Sequence, residues 1–238
     1  LSRIEPAIDD LAHALAPVGL NLIGVAPAAA VGDAAVVERL LPGAASVVVI
    51  GNGGGAFWRA FEAERGDEPD PLDAFTRRVI EARALPLAAR AWGEVRAVYP
   101  FAPPAESLPF MRLAASADLG RPSLLGVLVH PTYGPWIALR GALLVRAVLV
   151  VPGPAAGFDP CPGCRERPCI PACPAAAVSA AGWDVPRCAA YRARTDDPCA
   201  ARCHARFDCV IGREHRYPAA ALAHHQGRAR PFLVAAAR

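Results

Sequence analysis

Asp159-Pro160-Cys161-Pro162-Gly163-Cys164-Arg165-Glu166-Arg167-Pro168-Cys169-Ile170-Pro171-Ala172-Cys173-Pro174 sets four cysteines in a Cys-x2-Cys-x4-Cys-x3-Cys-Pro run, and Cys188, Cys199, Cys203 and Cys209 follow it. An iron–sulfur cubane needs four thiolates converging on four iron corners. Three cysteines on one tight loop and a remote fourth supply them, and the fourth cysteine of the loop then serves a second cluster. Eight cysteines make two such sets. Two other uses of the thiols stand beside this one. Disulfides fit poorly with a chain long enough to bury an ordinary core, and with a start, Leu1-Ser2-Arg3-Ile4-Glu5, that lacks the basic-then-apolar order of a signal peptide. Structural zinc suits pairs such as Cys161 with Cys164 and Cys199 with Cys203, although the Cys-x3-Cys-Pro ending has no rationale in a zinc site.

The rest of the chain differs from this segment in charge as well as in chemistry. Residues 1–160 hold 13 Arg, 16 acidic residues and no Cys; residues 161–238 hold 12 Arg, 6 acidic residues and all eight Cys. A formal +3 overall gives no argument for a nucleic-acid partner, and the +6 of the second segment offsets the negative charge of thiolate-bound clusters. With 54% hydrophobic and 20% charged residues, general disorder is excluded. No stretch approaches roughly 18 uncharged apolar residues, so no membrane partner and a cytoplasmic location are expected. All 25 basic residues are Arg, which excludes a Schiff-base or phosphate-loop lysine.

Before the cysteines, helical and strand patterns alternate. Ile4, Ile8, Leu11 and Leu15 repeat at helical spacing, Leu20–Val25 reads as a strand, and Val37–Leu41 as helix. Ala45–Ile50, a Val-rich apolar run bounded by Gly43 and Gly51, predicts a buried strand. Asp70-Pro71 opens a helix through Phe75, Val79, Ile80 and Ala84; Val95–Tyr99 predicts a strand and Phe110–Ala117 a helix. Leu124–His130 and Trp136–Leu149 are β-prone runs that read as a hairpin around residues 131–135, and Val151-Pro152-Gly153-Pro154 marks a domain boundary. An α/β domain over residues 1–152 and a smaller iron–sulfur domain over 153–238 follow.

Gly51-Asn52-Gly53-Gly54-Gly55-Ala56 meets the G-x-G-x-x-G/A spacing of a dinucleotide-binding turn, without the acidic residue about 20 positions on at the end of a second strand. A plain strand-to-helix turn accounts for it equally, and the glycines still let a ligand approach the backbone, with Gly53 and Gly54 the candidates. Arg140 lies inside an apolar strand, where a cation needs either a structural partner or a bound anion. His130 stands where an apolar run meets its turn. His204, His215, His224 and His225 read as ordinary hydrogen-bonded histidines, with a substitute ligand as the other use.

Leu113-Ala114-Ala115-Ser116-Ala117-Asp118-Leu119-Gly120 and His130-Pro131-Thr132-Tyr133-Gly134-Pro135-Trp136-Ile137-Ala138-Leu139-Arg140-Gly141 resemble the cobalamin-processing region shared by vitamin B12 trafficking (MMACHC-type) proteins and epoxyqueuosine reductases. The cysteine segment, with Arg187-Cys188-Ala189-Ala190-Tyr191, is similar to the double-cluster module of epoxyqueuosine reductases and reductive dehalogenases. Its first gap and closing Cys-Pro agree with the bacterial ferredoxin run, and its second gap is two residues longer.

The resemblance implies a modified nitroreductase-like α/β domain joined to a bacterial-ferredoxin-like domain with two 4Fe-4S clusters. It gives one cluster Cys161, Cys164, Cys169 and Cys209, and the other Cys173, Cys188, Cys199 and Cys203. It also implies a corrinoid (cobalamin) held near Gly53, Gly54, His130, Tyr133 and Arg140. Gly120-Arg121-Pro122-Ser123 replaces the Gly-Trp-x-Gly-Lys-Asn stretch of epoxyqueuosine reductases, so a tRNA substrate is not expected. The function expected is electron transfer by an iron–sulfur oxidoreductase, a corrinoid-linked reductase fed by an external donor and acting on a small molecule. A non-catalytic ferredoxin-like carrier with a decayed pocket is the alternative.

Overall fold

The computed structural model describes residues 6–150 and 157–235. The protein is a mixed α/β chain that divides into two compact units, one of residues 1–120 and 138–156, the other of residues 121–137 and 157–238. The expected boundary at Val151–Pro154 lies outside the described residues. Segment 121–137, which precedes that boundary, nevertheless packs with the cysteine-bearing residues.

The first unit begins with helix α1 (Pro6–Leu15), which buries Ile8, Leu11 and Leu15 on one face. Strand β1 (Leu22–Pro27), helix α2 (Ala34–Leu40) and strand β2 (Ser46–Gly53) follow. Asp33 caps α2 by accepting from the amides of Ala35 and Val36, which satisfies donors that a helix start leaves open. Every residue of β2 is buried, as its continuous Val run predicts. Helix α3 (Ala56–Ala63) then leads to α4 (Pro71–Val79), a π turn (Ile80–Ala84) and α5 (Leu85–Trp92). The π turn precedes Pro86, whose ring and missing N–H cannot enter a regular ladder; Leu85 donates to the Ile80 carbonyl, five residues back. Strand β3 (Val95–Val98) and helix α6 (Phe110–Ser116) complete this part.

Strand β6 (Ile137–Val145) enters the sheet between β2 and β3, giving the order β1-β2-β6-β3. β1 runs antiparallel to β2, with Ile23 opposite Ile50, and β3 antiparallel to β6, with Val98 opposite Ala142. β2 and the next strand, β3, are not neighbours, so the glycine turn after β2 does not open the βαβ unit of a dinucleotide fold. Helix α3 packs on β2, α6 on β1 and β2, and α1 on the π turn and α5. Phe57, Phe61 and Phe75 meet with ring centroids 5.3 and 5.9 Å apart in this core.

The second unit holds two small hairpins, β4 (Arg121–Pro122) with β5 (Leu128–Val129) and β7 (Val178–Ser179) with β8 (Gly182–Trp183), and helices α7 (Val185–Arg192), α8 (His204–Phe207) and α9 (Ala219–Ala235). The expected hairpin between Leu124–His130 and Trp136–Leu149 does not form. The first run pairs with β4, the second joins the main sheet, and residues 130–134 make only an isolated bridge. The first run buries only Leu128 and Val129, in the second unit, and the second run lies mostly in the first; periodicity cannot tell which surface covers a strand.

Candidate metal centres

All eight cysteines lie in the second unit as free thiols, so none is spent on a disulfide. Cys161 and Cys164 share a turn in which Cys164 donates to the Cys161 carbonyl. Arg167, in the left-handed region at φ 42°, reverses the chain before Cys169, and Cys209 arrives just after α8. These four cysteines line one cavity together with Leu124, Leu125, Val129 and Ile211, around about 380 Å³ of atom-free space, part of it open to solvent. The Cys169 thiol is pushed up by burial first, then by the neighbouring Cys209, Cys161 and Cys164. Leu124 donates its amide to Cys161 Sγ at 3.3 Å, and the Ile211 amide bonds Cys209.

The other four cysteines converge from the end of the loop, from α7 and from the turn before α8. Asp184 caps α7 by accepting from the Arg187 amide at 2.9 Å, and Pro186 sits in the first turn, so the helix that carries Cys188 starts on a strong local signal. Burial first, then Cys203, Asp197 and Cys188 push the Cys199 thiol up to about 11, with Arg192 opposing. Burial also raises Cys188 and Cys203, and each feels the charge of Cys173. Cys173 Sγ accepts from Ala177 at 3.4 Å, and Cys203 is the N-cap of α8.

Asp197 holds this second group in place. Its carboxylate accepts from Arg192 at 3.2 Å and from the Cys199 amide at 3.0 Å, with the two side chains of the ion pair only 3% and 5% exposed. Arg192 also donates to the Gln226 carbonyl of α9, tying α7 to α9 beside the thiols. The cations that lower thiol pKa values are Arg192, Arg206 and Arg213. Adjacency to a cysteine in sequence is a weak guide to them: Arg187 donates to the Ala176 carbonyl, and Arg202 stacks 4.3 Å over the Phe207 ring. Asp197, Arg192 and the Leu124 amide carried no signal of their own in the sequence, since what matters is which backbone they meet.

Among the described residues, no three His, Cys, Asp or Glu side chains draw close enough together to hold a single ion. A cubane spreads its thiolates over four irons, whereas four thiolates about 2.3 Å from one zinc stand only about 3.8 Å apart. The donor set suits clusters in a second respect. Backbone N–H groups already point at the sulfurs and cations flank them, features that favour an anionic thiolate cluster once iron is bound.

The five residues expected at a corrinoid divide between the units: Gly53, Gly54 and Arg140 fall in the first, His130 and Tyr133 in the second. Gly53 gives its amide to Asn21 at 2.7 Å and accepts from the same side chain at 3.2 Å. Gly54, at φ 70°, accepts from the Asn52 amide. Arg140 is buried, donates to Asn52 Oδ1 at 2.7 Å and lies 4.8 Å from the Phe57 ring centroid. His130 Nδ1 accepts from the amides of Thr132 and Tyr133, which places the proton of the neutral ring on Nε2. Each of these five thus has a structural task within its own unit. His204 bonds the Pro198 carbonyl and His215 lies against Tyr133 and Glu214, as ordinary histidines do.

No family model matches the chain, and no curated protein matches it. Solved structures do. A selenomethionine-labelled epoxyqueuosine reductase superposes with a TM-score of 0.61 at 13% identity, over 93% of this chain and 69% of that one. An epoxyqueuosine reductase bound to a tRNA-Tyr epoxyqueuosine-modified stem loop gives 0.60 at 14%, over 91% and 68%. The epoxyqueuosine reductase from Bacillus subtilis gives 0.61 at 14%, again over 91% and 68%. This chain therefore shares the fold of these reductases. The second of these neighbours is bound to nucleic acid, a partner not expected for this chain.

Proposed function

We propose that this protein is an iron–sulfur redox protein that takes single electrons from an external donor and passes them to a small-molecule acceptor. Cys161, Cys164, Cys169 and Cys209 hold one 4Fe-4S cluster, and Cys173, Cys188, Cys199 and Cys203 the other. The observation that carries the reading is the sorting of eight thiols into two groups of four, each mixing residues of the loop run with distant ones. Clusters bound there supply one-electron chemistry. The chain's own part is to donate amides to the sulfurs and to set Arg192, Arg206 and Arg213 beside them, which fix the potential. No described helix is long and apolar enough to cross a membrane, and thiols in this number belong in a reducing compartment, so the cytoplasm is the proposed location.

Metal and acid-labile sulfide analysis of anaerobically prepared protein tests this. About eight irons and eight sulfides per chain, with broad visible absorbance bleached by dithionite, is the expected result. Colourless protein with stoichiometric zinc overturns it.

A reductase acting on a corrinoid and a carrier without one differ in the acceptor. The internal partners of Gly53, Gly54, Arg140, His130 and Tyr133 favour the carrier. Titration of the holo-protein with hydroxocobalamin separates them: a tight complex whose corrin bands shift on reduction establishes the reductase, and no binding at high micromolar concentration establishes the carrier.

A further inference from the structure

The turn Ser123–Gly126 lies in the segment that packs with the cysteines yet contains none of them. It closes on itself: Gly126 donates to the Ser123 carbonyl at 3.1 Å, Ser123 Oγ donates to the Val127 carbonyl at 2.6 Å and accepts from Leu125 at 3.3 Å. From this turn Leu124 donates its amide to Cys161 Sγ, while Leu124 and Leu125 wall the cavity of the first cysteine set.

The far end of the turn meets the other set. Gly126, at φ 70°, presses its bare Cα against the Trp183 indole: a Cβ there would overlap Trp183 Cε3 and come within 3.0 Å of Cδ2. Strand β8, paired to β7 through Val178 and Trp183, carries this ring, and the Trp183 side chain hydrogen-bonds Cys188. One turn therefore supplies a donor to Cys161 directly and seats the donor to Cys188.

We infer that Ser123–Gly126 is a shared tuning element, in which the Leu124 amide raises the potential of the first cluster and Trp183, positioned by Gly126, raises that of the second. The inference rests on the two-cluster reading. A hydrogen bond to a ligand sulfur withdraws negative charge, which stabilises the reduced, more anionic cluster more than the oxidised one. Each donor acts on the set it touches, so the turn offsets the two potentials independently.

The test is an EPR-monitored redox titration of the full chain, reconstituted anaerobically and carrying its full iron and sulfide. Trp183→Phe keeps the ring and removes the N–H. It is expected to move one of the two redox waves to more negative potential, by up to about tenfold in the reduction equilibrium, or about 59 mV for one electron, and to leave the other in place. Leu124→Pro removes the other donor at the second position of a β-turn, where proline is accepted, and is expected to move the remaining wave alone. Gly126→Ala, which keeps the indole but displaces it, is expected to move the same wave as Trp183→Phe and decides the matter if the latter variant loses iron. Unmoved waves in variants with full iron and sulfide overturn the inference and leave the two clusters standing, as do Trp183 and Leu124 variants that move the same wave. A wild-type chain that takes up no iron and sulfide overturns the two-cluster reading itself, before any variant is made.

Discussion

Asp197 shows how much can rest on one side chain. It neutralises the buried Arg192 and fixes the Cys199 backbone at the same time, so removing it leaves a cation stranded between α7 and α9. Asp197→Ala is expected to cost about 3–5 kcal/mol, the usual penalty for breaking a buried pair, and to lower iron content by about half; denaturant titration and iron analysis check the two effects separately. Tyr99, in the other unit, gives a pH signature. Burial first, then the Glu81 charge, push its hydroxyl from 10.0 up to about 12, with the Arg77 charge opposing. Because the folded pKa is raised, its contribution to stability is full below the unfolded value near 10 and is lost as pH rises through about 12. Tyrosinate absorbance is expected to show a step near pH 12 that Tyr99→Phe removes, and the thermal midpoint of the variant is expected to fall less steeply between those limits.

Loops, more than regular elements, build the cysteine unit. Residues 130–134 and 211–212 pass so close that a Cβ on Gly134 would overlap the Ile211 carbonyl, and one on Gly212 would overlap Tyr133; both glycines have positive φ, 58° and 67°. Ile211 borders the first cavity and its amide bonds Cys209, so this backbone contact sets the position of Cys209. Gly134→Ala and Gly212→Ala are each expected to lose about 1–3 kcal/mol of stability from overpacking, with iron lost from the first site before the second. The measurements are denaturation of each variant and its iron content against the wild type. His130 and Gly134 close a tight antiparallel turn by reciprocal hydrogen bonds at 2.9 and 2.8 Å, beyond which Leu128–Val129 pairs with β4 and Ile137–Val145 with the main sheet.

Across the chain, the two cysteine sets are interleaved in sequence but separate in space. Cys188 and Cys203 feel the charge of Cys173, which lies in the loop run near Cys169, whereas Cys209 feels Cys161 and Cys164. Single-ligand losses are therefore expected to act on one cluster each: Cys169→Ala and Cys188→Ala should each leave about four irons of about eight, and the double variant almost none. Iron and sulfide counts on the three proteins, with EPR of the remaining cluster, check this.

The amino-acid sequence alone determined that the chain is α/β, that Val47–Ile50 forms a buried strand, that α4 opens at Pro71, and that all eight thiols fall in a short Arg-rich segment at ligand-like spacing. These follow from local causes: apolar period, proline at a helix start, and fixed spacing between ligands. Folding in three dimensions decided the remainder. It drew residues 121–137 into the cysteine unit, gave the sulfurs their amide donors from Leu124 and Ile211, chose Arg192, Arg206 and Arg213 over their sequence neighbours, and occupied His130, Gly53 and Arg140 with internal partners. The physical reason is that hydrogen bonds and charge act through space over a few ångströms, whereas spacing along a chain reports only what lies within the next turn or two.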